Sequence, residues 1–450
     1  MPFIKFVSLS IDYVLKKYII MKYHQIDRNL FIKNRKKFVA QMAPQSIAIF
    51  NSNDIYPVSA DSTLPFAQHR DIFYLSGVDQ EESILIIFPD AFEEKHREIL
   101  FLRETNEHIA IWEGEKLTKE RAFDVSGIKT VYWLSEFPTI FRKLMAEAEN
   151  VYININEHYR ASVETETRED RFIKKTKQEY PAHNYLRSNP ILQRLRSVKE
   201  EEEIDLIQQA CNITEKGFRR VLGFVKPGVW EYEIEAEFAH EFLRNRSKGF
   251  AYTPIIASGN NANVLHYIEN NQQCKDGDLI LFDVAAEYAN YASDLSRTIP
   301  VNGRYTSRQR EVYDAVLRCK KAAETLLVAG NNWYDYHKEM GKIYTSELLG
   351  LGLIDKADVQ NENPDWPAYK KYMMHGTSHH MGLDTHDYGI LTDKFCEGMV
   401  FTNEPGFYIP AEGFGIRLED DYVIQANGLP LNLMKNIPLE ADEIEDLMNR

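Results

Sequence analysis

Apolar residues fall into two kinds of pattern along the chain. Between about residues 21 and 150, short apolar runs at 46–50, 83–89 and 98–102 are bounded by Asp, Pro and Asn, and they follow a segment of helical character at 28–42. Runs of this length between turn-forming residues read as buried strands, so the segment predicts a compact mixed α/β unit. Residues 157–187 are dense in Glu, Arg, Lys and Thr, show little apolar periodicity, and are expected to be a linker or surface excursion. The boundary between two domains is expected within it, at 175/176.

Beyond it the period becomes that of helices. Ile204, Ile207, Cys211, Thr214, Phe218 and Val221 recur at steps of three or four, which predicts an amphipathic helix over 199–222. Pro227 and Gly228 end the pattern that follows; 231–244 and 306–330 read as further helices, the latter with Ser307 available as its cap. Strand-like runs occupy 279–285, 292–300, 399–404 and 415–424. Helices combined with an antiparallel sheet make this part α+β. The expected organisation is a leading segment over 1–20, an amino-terminal domain over 21–175 and a larger domain over 176–450.

Composition narrows the classes of function. A chain of 450 residues exceeds one ordinary core, which agrees with two domains. A net charge of −15 without a Lys/Arg stripe argues against nucleic-acid binding. No stretch approaches the ~18 consecutive apolar residues of a membrane span. Cys211, Cys274, Cys319 and Cys396 lie far apart with no CxxC, and read as reduced core thiols of a cytoplasmic protein. Residues 1–20 mix apolar side chains with Lys5, Asp12, Lys16 and Lys17, which breaks any export signal; they are either an extension or an amphipathic tail, and Met21 offers a second start.

The candidate chemistry begins with LILFDVAAEYANYASDLSRTIP. A tight turn centred on Tyr288 and Ala289 would set Asp283 directly opposite Asp294 on one sheet face. Like charges opposed across strands destabilise the pair, so the arrangement calls for a cation. A solvated hairpin tip is the alternative, but Leu281, Phe282, Val284 and Leu295 surround the pair with apolar groups and favour the cation.

Three more clusters join it. HGTSHHMGLDTHDYG gathers His375, His379, His380 and His386 within twelve positions, and Gly376, Gly382 and Gly389 are expected to mark tight backbone turns there. Neutral imidazole suits a transition metal. In TNEPGFYIP, Glu404 closes an apolar strand before Pro405 and Gly406; in GIRLEDDYVI, Arg417 and Glu419 share a strand face by the period of two. Each alone is weak. Together Asp283, Asp294, His379, Glu404 and Glu419 make an oxygen-rich set with one nitrogen donor, which suits Mn2+, Co2+ or Fe2+ better than structural zinc. Four carboxylates balance two divalent cations, so the site is expected to be dinuclear, with Mn2+ foremost and Co2+, Fe2+ or Zn2+ as substitutes.

These residues resemble the pita-bread metallopeptidases, and within them the Xaa-Pro aminopeptidases (aminopeptidase P) and prolidases. The resemblance runs over 199–424: in the family's pattern the first Asp stands eleven positions before the second, as Asp283 does before Asp294, and His379, Glu404 and Glu419 complete the order. His266 in NVLHY, His375 and His386 match histidines that contact substrate. FAQHRDIFYLSGVDQEESILII resembles the family's amino-terminal segment Phe-Arg-Gln-x-Ser-Asp-Phe-x-Tyr-Leu-Thr-Gly, with Ala67 in place of the Arg, which puts in doubt any role of that Arg at a subunit contact. Methionine aminopeptidases share the ligand set but generally lack such a domain, so the proline-specific branch is implied.

The resemblance implies a pita-bread catalytic domain behind an aminopeptidase P-type domain, acting on peptides with proline in second position. Asp294 and Glu419 would bridge two metals, with Asp283 on one and His379 and Glu404 on the other. Glu404 would also be the general base, His266 and His386 would hydrogen-bond the substrate's carbonyl or carboxylate, His375 would shape the proline pocket, and Arg417 would orient a bridging carboxylate. A homodimer or homotetramer is implied as well. A prolidase confined to dipeptides is the runner-up; a metal-free peptide-binding module would lack ligands, and all five are present.

Overall fold

The computed structural model describes residues 22–161 and 163–450. The expected leading segment over 1–20 lies outside the described residues, as does Met21. The chain divides into two compact units, the first ending at Ser188 and the second running Asn189–Arg450.

The first unit is built on a six-stranded mixed sheet of order β4-β3-β2-β1-β5-β6. Its strands are β1 (Ser46–Asn51), β2 (Ile84–Ile87), β3 (Glu98–Leu102), β4 (Thr130–Trp133), β5 (Asn150–Ile153) and β6 (Asn184–Arg187). One face of the central strands packs Ile47, Ile49, Ile84, Ile86, Ile99 and Phe101 against Phe141 and Leu144 of the helix α2 (Phe137–Met145). On the other face Phe50 meets Phe38 of α1 (Arg28–Val39) edge-on, ring centroids 5.4 Å apart. Covering both faces explains why these strands read as unbroken apolar runs.

Residues 157–187 are more than a linker. They carry α3 (Arg168–Glu179), capped by Thr167, and the edge strand β6, which pairs parallel to β5. Their polarity is that of edge elements with one side in water, and because β6 completes the sheet, the first unit extends past 175/176 to Ser188.

In the second unit, α4 (Asn189–Ser197) leads into α5 (Glu201–Leu222), which packs beside α6 (Glu231–Arg244). Phe218 of α5 and Phe238 of α6 both meet Phe282 edge-on. Phe282 belongs to β8 (Leu279–Asp283), the centre of an antiparallel sheet of order β11-β8-β7, with β7 (Ile255–Ser258) and β11 (Ser296–Pro300) at its sides. Side chains alternate along a strand, so Phe282 turned to the helices leaves Leu281 and Asp283 on the opposite face. There Leu281 packs with Ile255, Ala257, Tyr267 and Tyr408.

The short pair β9 (Glu287–Tyr288) and β10 (Tyr291–Ala292) ends the β8–β11 hairpin. Later strands are β12 (Val400–Asn403), β13 (Gly406–Ile409), β14 (Phe414–Arg417), β15 (Asp420–Val423) and β16 (Leu431–Asn432); β12-β15-β16 form one antiparallel sheet and β13-β14 another. This is the α+β arrangement expected. The helices α7 (Ser307–Leu326) and α8 (Trp333–Gly350) separate the two halves of the unit in sequence. Thr306, not Ser307, caps α7: its side chain accepts from the Gln309 N–H. All four cysteines are free, but Cys396 is exposed rather than in the core. Among the described residues no helix is long and apolar enough to cross a membrane.

Candidate metal centre

The β8–β11 hairpin sets the first two carboxylates. Asp283 pairs with Ser296, not with Asp294. The turn is centred on Ala289 and Asn290, whose φ angles of 53° and 69° are both positive, as in the type I′ turns that match strand twist. The register therefore lies two residues from the expected one centred on Tyr288 and Ala289. A slip of one would have turned a carboxylate to the helices; a slip of two preserves the face. Asp283 and Asp294 sit diagonally on one side.

Asp294 Oδ1 accepts from the Tyr252 hydroxyl at 2.6 Å, and its Oδ2 lies 3.4 Å from His379 Nε2. His379 is fixed alongside β12, where Thr402 Oγ1 accepts from its N–H and the Thr402 N–H donates to its carbonyl. Its Nδ1 stands 2.9 Å from the carbonyl of His380. That contact keeps the proton on Nδ1 and leaves the Nε2 lone pair facing Asp294. Ligand atoms of Asp294, His379 and Glu419 lie within 4.8 Å of one another.

Glu404 follows β12, with its N–H bonded to the Thr377 carbonyl; Oε1 is 3.8 Å from His379 Nε2 and Oε2 3.5 Å from His375 Nδ1. Glu419 does not continue the strand of Arg417, as expected from the period of two, but lies in a break between β14 and β15. Ser296 makes the break: its carbonyl accepts the Glu419 N–H at 3.0 Å and its Oγ donates to Oε2 at 2.7 Å, while Arg297 Nη1 donates to the Glu419 carbonyl at 2.6 Å. Arg417 still reaches the centre. Nε donates to Ser296 Oγ, Nη1 to the Tyr408 hydroxyl and Nη2 to Asp283 Oδ2, at 2.8, 2.7 and 2.6 Å.

The other histidines divide. His375 Nε2 is 2.7 Å from the Tyr408 hydroxyl and Nδ1 is 2.7 Å from the Gly376 carbonyl. Burial first, then the charge of Arg417, pushes its pKa down to about 3, so it is neutral. His386 is exposed and its ring stands edge-on to His379, centroids 4.4 Å apart. His266, also exposed, lies in the turn region after β7, and its charge is among those that depress His375. His380 faces away and packs its ring against Trp333 and Phe401.

Two of the three glycines of this segment, Gly382 and Gly389, serve close approach rather than turns needing positive φ. A Cβ on Gly389 would lie 1.9 Å from the His380 ring, and one on Gly382 would lie 2.3 Å from Asp387 Oδ2; Gly376 has no such neighbour.

Charge is the centre's main problem. Burial, then Asp283, raises Asp294 well above the usual carboxylate range. Burial, then Asp294 and Glu404, does the same to Glu419. Burial pushes Glu404 up to about 7 although His379 and Arg417 oppose it. Asp283 Oδ1 is buried and accepts no hydrogen bond. Crowded carboxylates, one with an orphaned oxygen, beside an imidazole with its lone pair turned inward, fit a site for divalent cations.

Tyr252, Ser296 and Tyr408 are the residues that sequence reasoning missed. Ser296 was reachable as the strand partner of Asp283 once the turn was placed correctly, and Tyr408 lay in a motif already singled out. Tyr252, in GFAYTP, carried no signal of its own.

Residues 205–426 match metallopeptidase family M24, and residues 31–152 match the aminopeptidase P amino-terminal domain. A Xaa-Pro aminopeptidase of Haemophilus influenzae is 34% identical over 437 residues, covering 94% of this chain and 98% of the relative. One from Escherichia coli shares the same identity and coverage. Among solved structures, a putative aminopeptidase P from Bacillus anthracis superposes with a TM-score of 0.87 at 32% identity, covering 94% of this chain and 99% of that one. A zinc-substituted Escherichia coli aminopeptidase P in complex with product gives 0.83 at 31%, with the same coverage. With both its domains matched and relatives aligned over nearly their whole length, the chain belongs to metallopeptidase family M24, in its aminopeptidase P branch.

Proposed function

We propose that the chain is a Xaa-Pro aminopeptidase that releases the first residue of peptides with proline in second position, using two divalent ions held by Asp283, Asp294, His379, Glu404 and Glu419. The observation that carries this reading is the convergence of the Asp294, His379 and Glu419 ligand atoms within 4.8 Å. Bound there, such ions polarise the scissile carbonyl and lower the pKa of a water.

The chain's own residues supply the rest. Glu404, pushed up to about 7 by burial, is matched to taking a proton near neutral pH and passing it to the prolyl nitrogen. His386 and His266 hydrogen-bond the substrate carbonyl or carboxylate as charge develops on it. His375, neutral and tied to Tyr408, walls the proline pocket. Arg417 fixes Asp283 directly and Glu419 through Ser296. A proline nitrogen has no N–H, which ordinary peptidases require, so a dedicated site has a purpose.

Mn2+ is the proposed ion, the cytoplasm the compartment, and a homodimer or homotetramer the assembly. The prolidase reading is not favoured, since the relatives aligned over nearly the whole chain are named Xaa-Pro aminopeptidases. The test is to strip the protein of metal, add Mn2+, Co2+ or Zn2+ singly, and follow free Xaa from Xaa-Pro and Xaa-Pro-Yaa peptides. Release from the tripeptides fits the proposal; cleavage of dipeptides alone returns the prolidase reading; no release with any metal overturns both.

A further inference from the structure

His386 stands on an exposed loop, yet its ring is held edge-on to His379. Its flanks explain how. Asp384 and Asp387, on either side of it, both accept from one nitrogen, Arg196 Nη2, at 2.7 and 2.6 Å. Arg196 projects from α4 and is 2% exposed. Its guanidinium also covers the ring of Tyr388, 4.5 Å from the centroid.

Lys199, just before α5, donates to the second oxygen of Asp387 at 3.1 Å. Asp387 Oδ1 additionally accepts the Tyr388 N–H at 2.7 Å, and the Asp387 N–H donates to the His380 carbonyl at 2.9 Å. Gly382 lets the loop close on this pair, because any side chain there would strike Asp387 and Lys199. Burial would raise Asp387, but Arg196 and Lys199 outweigh it and hold the carboxyl down at about 2, ionised at every working pH.

We propose that Arg196, assisted by Lys199, is the positioning residue for His386: it staples Asp384 to Asp387 across the histidine and so fixes the imidazole over the metal centre. A loop left to itself samples many conformers, and a displacement of about 1 Å of a group that binds the transition state costs up to ~100-fold in rate. A buried ion pair is poor at adding net stability but good at fixing one geometry. Holding an exposed side chain in register is a use suited to it. The inference rests on the role given to His386 above.

The experiment is a double-mutant cycle on metal-loaded, folded enzyme, with kcat and KM measured on a Xaa-Pro-Yaa peptide. His386→Ala is expected to lower kcat/KM on the order of 100-fold, and Arg196→Met about 10-fold, mainly in kcat. The double variant is expected to be no worse than His386→Ala, and Arg196→Lys, which can still meet one carboxylate, recovers part of the loss. A merely structural role would give losses that multiply. Multiplying losses, or parental activity in Arg196→Met, overturn the staple while leaving His386 its role; parental activity in His386→Ala overturns both. Should Arg196→Met fail to fold, Asp384→Asn carries the same cycle, since that carboxylate is 42% exposed and its loss is tolerable.

Discussion

Arg417 Nη2 stands 2.6 Å from Asp283 Oδ2 and thereby turns the other oxygen of that carboxylate inward, buried and without a hydrogen bond. The same guanidinium reaches Ser296 and Tyr408 through its two other nitrogens. Burial works against its charge, but Tyr408, Asp283 and Glu419 outweigh this and raise its pKa well above the ordinary value. Lysine has one nitrogen and cannot span three acceptors. Arg417→Lys is therefore expected to weaken metal binding by 10- to 100-fold, roughly what loss of an outer-sphere partner costs. Calorimetric titration of Mn2+ into the metal-free variant checks this, and affinity within twofold of the parent would refute the role.

The loop carrying His266 has its own anchor. Glu231, fully buried at the start of α6, accepts at Oε1 from the N–H and Oγ of Ser258 and from Asn261 Nδ2, and at Oε2 from the Tyr267 hydroxyl and the Gln272 N–H. All five partners are donors, so an amide in place of the carboxylate sets donor against donor. Glu231→Gln is expected to lose about 1–3 kcal/mol of stability and to lower kcat/KM through the displaced His266. Urea unfolding of the metal-loaded protein, with kinetics on the folded fraction, measures both; an unchanged midpoint contradicts the anchor.

How far the site was legible depends on parity and on contact order. Placing the turn on Tyr288 and Ala289 rather than on Ala289 and Asn290 moves its centre by one residue and each strand partner by two, yet the two Asp residues keep a common face because side chains repeat every two positions. The error hid Ser296, which the correct register sets opposite Asp283. The break at Glu419 was invisible because Arg297 and Ser296, more than a hundred residues earlier, create it. Polar edge elements hid too: α3 and β6 bury so few side chains that their composition matches a linker. Both-sided burial made the first unit's central strands legible, and the three- and four-residue recurrence from Ile204 to Val221 made the α5 helix legible to its end at Leu222.

The histidine loop predicts a steric outcome. A methyl on Gly389 would overlap the His380 ring, which is itself wedged between Trp333 and Phe401 and cannot retreat. Overpacking of this kind costs typically 1–3 kcal/mol. Gly389→Ala is expected to lower the thermal midpoint and, because the backbone beside His386 must move, to lower kcat more than KM rises. A midpoint within a degree of the parent, with parental kinetics, would show that the segment absorbs the methyl.

Metal removal should expose the carboxylates' repulsion as a pH dependence of stability. In the chain without metal, burial raises Glu404 from 4.5 to about 7, and it raises Asp294 and Glu419 above the usual carboxylate range as well. A group whose folded pKa is raised binds its proton more tightly in the folded state, so its stabilisation is full below the unfolded value and is lost as pH rises through the folded one. The metal-free protein is therefore expected to lose stability as pH rises between about 4.5 and 7, whereas the metal-loaded protein, whose cations keep the same carboxylates ionised when folded as they are when unfolded, holds its stability over that range. Binding should then release protons and tighten as pH rises. Thermal midpoints of the chelated and Mn2+-loaded protein from pH 5 to 8 decide it: parallel profiles would mean that the four carboxylates and His379 do not form the site that holds the ions.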